Sequence, residues 1–263
     1  QVAYGGDSKA ETVLAIDTDG HLWTWGRDWT SYMSASPIST VPLQVTNNNR
    51  FKQVSGSYAL DVNGNVWEIS KTTLTQRSSG ISFKKISANN SAEDNYCLAI
   101  DNSNNLYSYG TNNNGQLGNG NTTDKNGGRQ ANHTSFIKVK TGIKDVSAAG
   151  THALAIDTSN NLYAWGSCVL GEIGNGSQTG NDVQNLYDIT GSTITYSTPT
   201  QSIPLKIKSG ISKISASNHI SFAIDTSGNL WSWGWKNNGC VGIGGDTNGT
   251  YGSRLGKERR LLC

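Results

Sequence analysis

One short pattern returns five times along this chain, and it limits what the chain can fold into. Leu14-Ala15-Ile16-Asp17 comes back as Ala59-Leu60-Asp61, Leu98-Ala99-Ile100-Asp101, Leu154-Ala155-Ile156-Asp157 and Phe222-Ala223-Ile224-Asp225. Successive aspartates stand 44, 40, 56 and 68 residues apart. A period of about 40–50 residues is that of a four-stranded propeller blade, so the two long gaps mark insertions into a common unit.

Each unit reads strand by strand. After the aspartate comes a tight turn whose third residue is always Gly or Asn: Gly20, Gly64, Asn104, Asn160 and Gly228. These residues tolerate the left-handed backbone that a short hairpin demands. The aspartate before the turn can accept hydrogen bonds from backbone N–H groups within it, which accounts for its recurrence without catalysis. An alternating strand follows, such as Leu22-Trp23-Thr24-Trp25, Leu162-Tyr163-Ala164-Trp165 or Leu230-Trp231-Ser232-Trp233. Period two sets both rings on one face and the aliphatic residue on the other. Trp25, Tyr109, Trp165 and Trp233 are expected to be buried between neighbouring blades.

Three units continue into a glycine-punctuated loop: Gly110 to Gly120, Gly166 to Gly176 and Gly234 to Gly244. The next glycine stands five residues after the first in each, at Gly115, Gly171 and Gly239. A short strand is expected from Pro42, Phe136 and Pro204, with proline suiting an edge position. The last recurring strand is Phe51-Lys52-Gln53-Val54, Phe83-Lys84-Lys85-Ile86, Ile143-Lys144-Asp145-Val146 and Ile211-Ser212-Lys213-Ile214. No segment sustains a helical period, so almost no helix is expected.

Composition agrees with an all-β protein rich in turns. The 263 residues are 35% hydrophobic and 15% charged, with 31 Gly, 8 Trp and 10 Tyr. Disordered chains carry few aromatics and a large net charge; this one has a net charge of +2. That balance gives no reason to expect nucleic acid as a partner, and no apolar run is long enough to span a bilayer. Cys97, Cys168, Cys240 and Cys263 lack metal-ligand spacing. Cys97 reads as a small core residue, and the non-equivalent positions of Cys168 and Cys240 argue against a disulfide between them.

Taken in order, the motifs are a strand, Ser147-Ala148-Ala149-Gly150-Thr151-His152, Leu154-Ala155-Ile156-Asp157, a turn, Leu162-Tyr163-Ala164-Trp165-Gly166, and the loop to Gly176. This sequence resembles the repeat of the regulator of chromosome condensation family over about residues 3–245. The resemblance implies a β-propeller of four-stranded blades, which in that family usually number seven. About five units are present here, over residues 1–250, with a tail at 251–263 expected to lie outside them. The second unit has Ile69-Ser70 in place of an aromatic and glycine, and the first has Gly26 but no glycine loop after it. Both ends look cut, so a part of a larger propeller is favoured over a closed five-bladed ring.

No residue set reads as catalytic, cofactor-binding or metal-binding. His152 is expected to anchor a loop by hydrogen bonding to a neighbouring backbone, and His219 is one position out of register with it. The recurring aspartates would lie on separate blades, and Asp17-Thr18-Asp19-Gly20 lacks the later glutamate of a calcium loop. The insertions at 119–135 and 175–203 leave the same point of successive units and should emerge side by side on one face. Long loops on a rigid scaffold are where binding residues accumulate. Candidate contacts are Asn121, Thr122, Arg129, Asn132 and His133 in the first, and Tyr187, Asp188 and Tyr196 in the second. The second is expected to form an extra hairpin around Gly191 presenting Tyr187 and Tyr196.

The reading is therefore a non-catalytic interaction scaffold, binding a protein or glycan partner without cofactor or membrane insertion. The family resemblance implies one alternative, guanine-nucleotide exchange on a small GTPase. A second is a hydrolase or lyase using the central funnel of the propeller. The weakly charged, Asn/Ser/Thr-rich composition leans toward a bacterial extracellular or cell-surface setting.

Overall fold

Alternating strands joined by left-handed turns can only bury their apolar faces by stacking sheet on sheet, and that is what the chain does. The computed structural model describes residues 1–5, 12–27, 37–70, 72–78, 80–90, 95–121, 133–175, 182–187, 193–235, 241 and 252–257. All regular structure among them is β-strand.

The chain divides into two compact bodies. The first comprises residues 1–111 and 132–141 and holds three blades. Blade one is β1 (Val2–Gly5), β2 (Thr12–Ile16), β3 (Leu22–Arg27) and β4 (Pro37–Gln44), and blade two is β5 (Phe51–Ser55), β6 (Tyr58–Asp61), β7 (Val66–Ser70) and β8 (Thr73–Gln76). Blade three is β9 (Phe83–Asn90), β10 (Asn95–Asp101), β11 (Leu106–Gly110) and β12 (His133–Lys140). The second body comprises residues 112–131 and 142–263. It holds blade four, made of β13 (Ile143–Ala148), β14 (His152–Asp157), β15 (Leu162–Ser167), β16 (Asp182–Tyr187) and β17 (Thr193–Lys208). Blade five is β18 (Ile211–Ser217), β19 (Ile220–Asp225), β20 (Leu230–Gly234) and β21 (Gly252–Lys257).

Every blade is an antiparallel meander, and blade four adds β16 outside β17. The fourth strands are longer than expected: β4, β12 and β17 begin well before Pro42, Phe136 and Pro204. One irregularity explains where the prolines fall. Thr24 pairs with Leu43 but Gly26 with Ser39, so four residues of β4 oppose two of β3. Ala164 with Leu205 and Gly166 with Gln201 repeat the step in blade four. Such a bulge frees N–H groups from the ladder, and Pro42 and Pro204 sit inside it.

β21 falls within the stretch 251–263 that was expected to lie outside the repeats. Its pairing of Trp231 with Lys257 and Gly234 with Gly252 makes residues 252–257 the fourth strand of blade five. Main-chain pairing holds an outer strand, so its composition gives little warning of it.

The core forms where blades stack. Leu14 and Leu22 of blade one pack with Phe51, Val54, Ala59 and Ile69 of blade two. Tyr58, Leu60 and Val66 of blade two pack with Phe83, Ile86, Cys97, Ala99 and Tyr109 of blade three. In the second body, Leu154, Ile156 and Leu162 of blade four pack with Ile211, Ala223 and Trp233 of blade five. Side chains of the innermost strands stitch neighbours together. Gln53 donates to the carbonyl of Ile86 at 2.7 Å and accepts from its N–H at 2.9 Å. Ser55 Oγ accepts from Ala88 N–H and Ser147 Oγ from Ala216 N–H, each at 2.9 Å.

Candidate interaction surface

The recurring carboxylates are committed to structure. Asp157 Oδ1 accepts from the N–H groups of Ser159 and Asn161, while its Oδ2 accepts from the Asn161 side-chain amide and the Tyr163 hydroxyl. Asp17, Asp61 and Asp225 repeat this, with the indole N–H of Trp23, Trp67 and Trp231 in the tyrosine's place. The first ring of each aromatic strand is thus tied to the turn before it. The Trp23 hydrogen bond leads the causes that lower the Asp17 carboxyl to about 2. At Asp157, partial burial pushes the carboxyl up, but the bonds from Asn161, Ser159 and Tyr163 outweigh it and hold it below the usual range.

The second ring has another task. Trp165 Nε1 donates to the carbonyl of Gln116 at 2.8 Å, and Trp233 Nε1 to that of Glu172 at 2.7 Å. Both carbonyls belong to the glycine loop that leaves the preceding blade. The loop pins itself with the same two residues: Gln116 Oε1 accepts from Asn114 N–H and Glu172 Oε2 from Leu170 N–H. A Cβ on Gly174 would lie 2.8 Å from the Trp233 ring, so the ring requires that glycine. The two described glycine loops are seats for tryptophan.

Trp165 and Trp233 are buried as expected, and so is Tyr109 at 7% exposure. Trp25 is a correction, since it is only partly buried. Blade two has no glycine loop, and Tyr109 of blade three is capped differently. Glu68 Oε2 lies 2.7 Å from Arg77 Nε and 3.5 Å from the Tyr109 hydroxyl, with Arg77 stacked on the ring. Burial first, then the Glu68 charge, pushes the Tyr109 hydroxyl up to about 12. The repeat pattern does not point to this cap: Glu68 stands where the other aromatic strands carry Thr24, Ser108, Ala164 and Ser232, and Arg77 lies outside the recurring motifs.

His152 is fully buried on β14, with Nε2 2.7 Å from Ser221 Oγ, which donates to the Glu172 carbonyl at 3.1 Å. It anchors the next blade through that hydroxyl and, as expected, through a hydrogen bond with a neighbouring backbone, that of Asn218. His219 Nδ1 lies 3.1 Å from Glu172 Oε1 at the rim of the same cluster. Cys97 and Cys168 are buried core residues, neither of them in a disulfide. Among the described residues, no three His, Cys, Asp or Glu side chains gather in a metal-binding group.

What the loops leave open lies at the base of the insertions. Gly120 N–H donates to the carbonyl of Ser202 at 2.9 Å. The start of the first insertion is therefore bonded to the end of the second. Buried Asn112 secures the first: its side-chain amide donates to Asn119 Oδ1 and to the Asn121 carbonyl, and its Oδ1 accepts from Leu117 N–H. Asn112 has Cys168 as its counterpart after Gly166, a departure within the repeat that could have flagged it. Asn121 is exposed beside this junction, and Ile203 is 50% exposed on its other side.

The second insertion does form a hairpin, β16 against β17, with Tyr187 paired to Thr193 and Tyr196 to Gln184. Gln184 and Tyr187 are three residues apart, so the two tyrosines take register positions of opposite parity. His133 opens β12 opposite Gly110, on the ladder and partly buried. Thr122, Arg129, Asn132, Asp188 and Gly191 lie outside the described residues.

Comparison with known proteins gives a single answer. The model of the regulator of chromosome condensation (RCC1) repeat matches residues 103–156. The ultraviolet-B receptor UVR8 of Arabidopsis thaliana is 28% identical over 201 residues, covering 63% of this chain and 44% of the receptor. Protein RCC1 of Candida albicans is 30% identical over 155 residues, covering 57% of this chain and 32% of that protein. Among solved structures, yeast RCC1 (Prp20) bound to Kap60 superposes with a TM-score of 0.73 at 20% identity, covering 95% of this chain and 59% of that one. Prp20p from Saccharomyces cerevisiae gives 0.74 at 19% identity, covering 95% and 61%. The chain spans less than half the length of these two sequence relatives.

Proposed function

We propose that this chain, a β-propeller built of RCC1-type repeats, is a non-catalytic scaffold that binds a protein partner through the loops of one face. The hydrogen bond from Gly120 to Ser202 carries this reading, because it joins the two long insertions at their base. They leave a core whose strands, turns and glycine loops are fully engaged in holding the fold. A rigid frame presenting adjoining loops is the arrangement on which binding residues accumulate.

Protein is favoured over glycan by what a related propeller binds. The related yeast propeller is described by its binding to Kap60, to Gsp1p and to histones, all proteins. The candidate contacts are Asn121 and the exposed Ile203 at the junction, then Thr122, Arg129, Asn132, Tyr187, Asp188 and Tyr196 along the insertions.

The test shortens 119–135 and 175–203 to the length of the tighter units, leaving Gly120 and Ser202 in place. Folding is followed by circular dichroism, and binding to purified Gsp1p and to histones by calorimetry. The reading expects a folded variant that has lost whichever of these interactions the intact chain makes. Undiminished binding by the shortened variant would move the site off these loops. Faster nucleotide release from Gsp1p with the intact chain would favour the exchange-factor reading.

A further inference from the structure

A strand at the margin of a sheet carries a row of main-chain N–H and C=O groups with no strand to pair them. Proteins guard such margins with proline, with lysine or arginine, or by keeping the strand short. The outer strands here follow that rule with one exception. β4 holds Pro37 and Pro42, and β12 holds Lys138 and Lys140. β8 is only four residues long, and β21 holds Arg254 and Lys257. The later half of β17, which pairs with β15, holds Pro204, Lys206 and Lys208. β16 runs for six residues, Asp182-Val183-Gln184-Asn185-Leu186-Tyr187, and has no proline, lysine, arginine or glycine.

Its place in the sheet makes that omission matter. Blade four has the order β13-β14-β15-β17-β16, so β16 has β17 on one side and, among the described residues, no strand on the other. β17 pairs with β16 from Thr193 to Thr200 and with β15 from Thr200 to Lys208. Past Ser167, where β15 ends, β16 and β17 therefore continue as a ribbon of two strands. Such a ribbon is marginal alone, and a third strand makes it stable. On the β15 side the chain leaves Ser167 into its own glycine loop. The margin left open is the one beyond β16.

Charge indicates what kind of strand that margin takes. Residues 175–203 contain Asp182 and Asp188 and no lysine, arginine, histidine or glutamate, in a chain whose net charge is +2. Asp182 opens β16 and Asp188 follows its last residue, so an acidic residue flanks the strand at each end.

We infer that β16 takes an extended, basic segment of a partner protein as an added strand. Main-chain hydrogen bonds from alternate residues of β16 hold the segment, and Asp182 and Asp188 select lysine or arginine near its ends. This rests on the insertions being the partner site, and it names what they take there: a length of positively charged backbone in the β conformation.

The test titrates the 263-residue chain by calorimetry with a six-residue peptide of alternating lysine and valine, blocked at both ends. One control is the same peptide N-methylated at every residue, which has no main-chain N–H to donate. The other alternates glutamate with valine. The lysine peptide is expected to bind, and each control to bind more weakly by about tenfold or more. Hydrogen exchange locates the peptide: the amides of β16 should slow when it is added. Failure of the lysine peptide to bind, equal binding of either control, or slowing only outside β16 overturns the inference. So does a free chain in which every β16 amide is already protected, because the chain would then cover that margin itself. The inference and the reading it rests on fail separately. A chain that loses Gsp1p or histone binding on shortening yet ignores the lysine peptide keeps the loops as its site and rejects the added strand. A chain whose β16 binds the peptide while shortening leaves those interactions intact supports the added strand and moves the other site elsewhere.

Discussion

His152 Nε2 and Ser221 Oγ lie 2.7 Å apart, with both residues fully buried at the junction of blades four and five. Burial is the main reason the imidazole is depressed from its ordinary 6.5 to about 4, opposed by the nearby Glu172 charge. The folded state therefore holds this histidine neutral where the unfolded chain protonates it. The stability it contributes is fully present above pH 6.5, falls as the pH drops, and is gone below about 4. The loss amounts to about 3 kcal/mol, from the shift at about 1.4 kcal/mol per pH unit. Urea melts at several pH values check this: His152→Gln should flatten the decline between pH 6.5 and 4, and an unchanged slope would contradict the assignment.

Trp165→Ala removes a fully buried ring and orphans the Gln116 carbonyl. It should cost about 3–5 kcal/mol, the usual loss for a large-to-small change in a core. Denaturant unfolding measures it. A variant of unchanged stability that lost partner binding would reassign Trp165 from core to contact surface.

Gly166→Ala tests the backbone at the end of the aromatic strand. Gly166 has φ +105, and a Cβ there would stand 2.4 Å from the Thr151 carbonyl oxygen. That oxygen accepts from Ser167 N–H at 2.9 Å, so it cannot retreat without breaking the bond. Gly110 and Gly234 are confined in the same way. The substitution is expected to destabilise by more than the ordinary helix or strand penalty, on the order of 2–4 kcal/mol. A melting temperature within a degree or so of the parent's would refute the confinement.

Asp61→Ala should destabilise by about 1–3 kcal/mol, since it strands three donors: the Asn65 backbone and side chain and the Trp67 indole. Asp61→Asn keeps one acceptor oxygen and should fall between the two. Comparing the melting temperatures of the three proteins orders them. An alanine variant as stable as the asparagine one would mean the carboxylate does not hold the turn.

The repeat was legible because each of its residues answers a local demand. Asn104 and Asn160 take positive φ at the turn, as the hairpin chemistry requires, and the alternation of Leu162-Tyr163-Ala164-Trp165 sets a strand whatever surrounds it. The extra hairpin in the second insertion was readable for the same reason. Other features were not readable, because they depend on what the neighbouring blade supplies. Trp25 has the sequence of Trp165 yet remains partly exposed, and Glu68 caps Tyr109 only because blade two lacks the glycine loop. The strand at 252–257 was missed because pairing on an outer strand leaves little trace in composition. At the candidate surface, spacing indicated that the insertions leave equivalent points, but the register that separates Tyr187 from Tyr196 exists only once the hairpin is formed.

The Gln53 side chain grips Ile86 by its carbonyl and its N–H, as another strand would, and Gln1 reaches Val54 in the same manner. Such a joint is blind to the side chain it holds. Mutation at the gripped position is judged by the apolar core alone, and mutation at the glutamine by the main chain alone, so the two have no reason to change in concert. Units joined in this way can diverge in sequence, accept insertions of different length and still click together in the same geometry. A lineage that copies or deletes a unit inherits a working seam without having to evolve one.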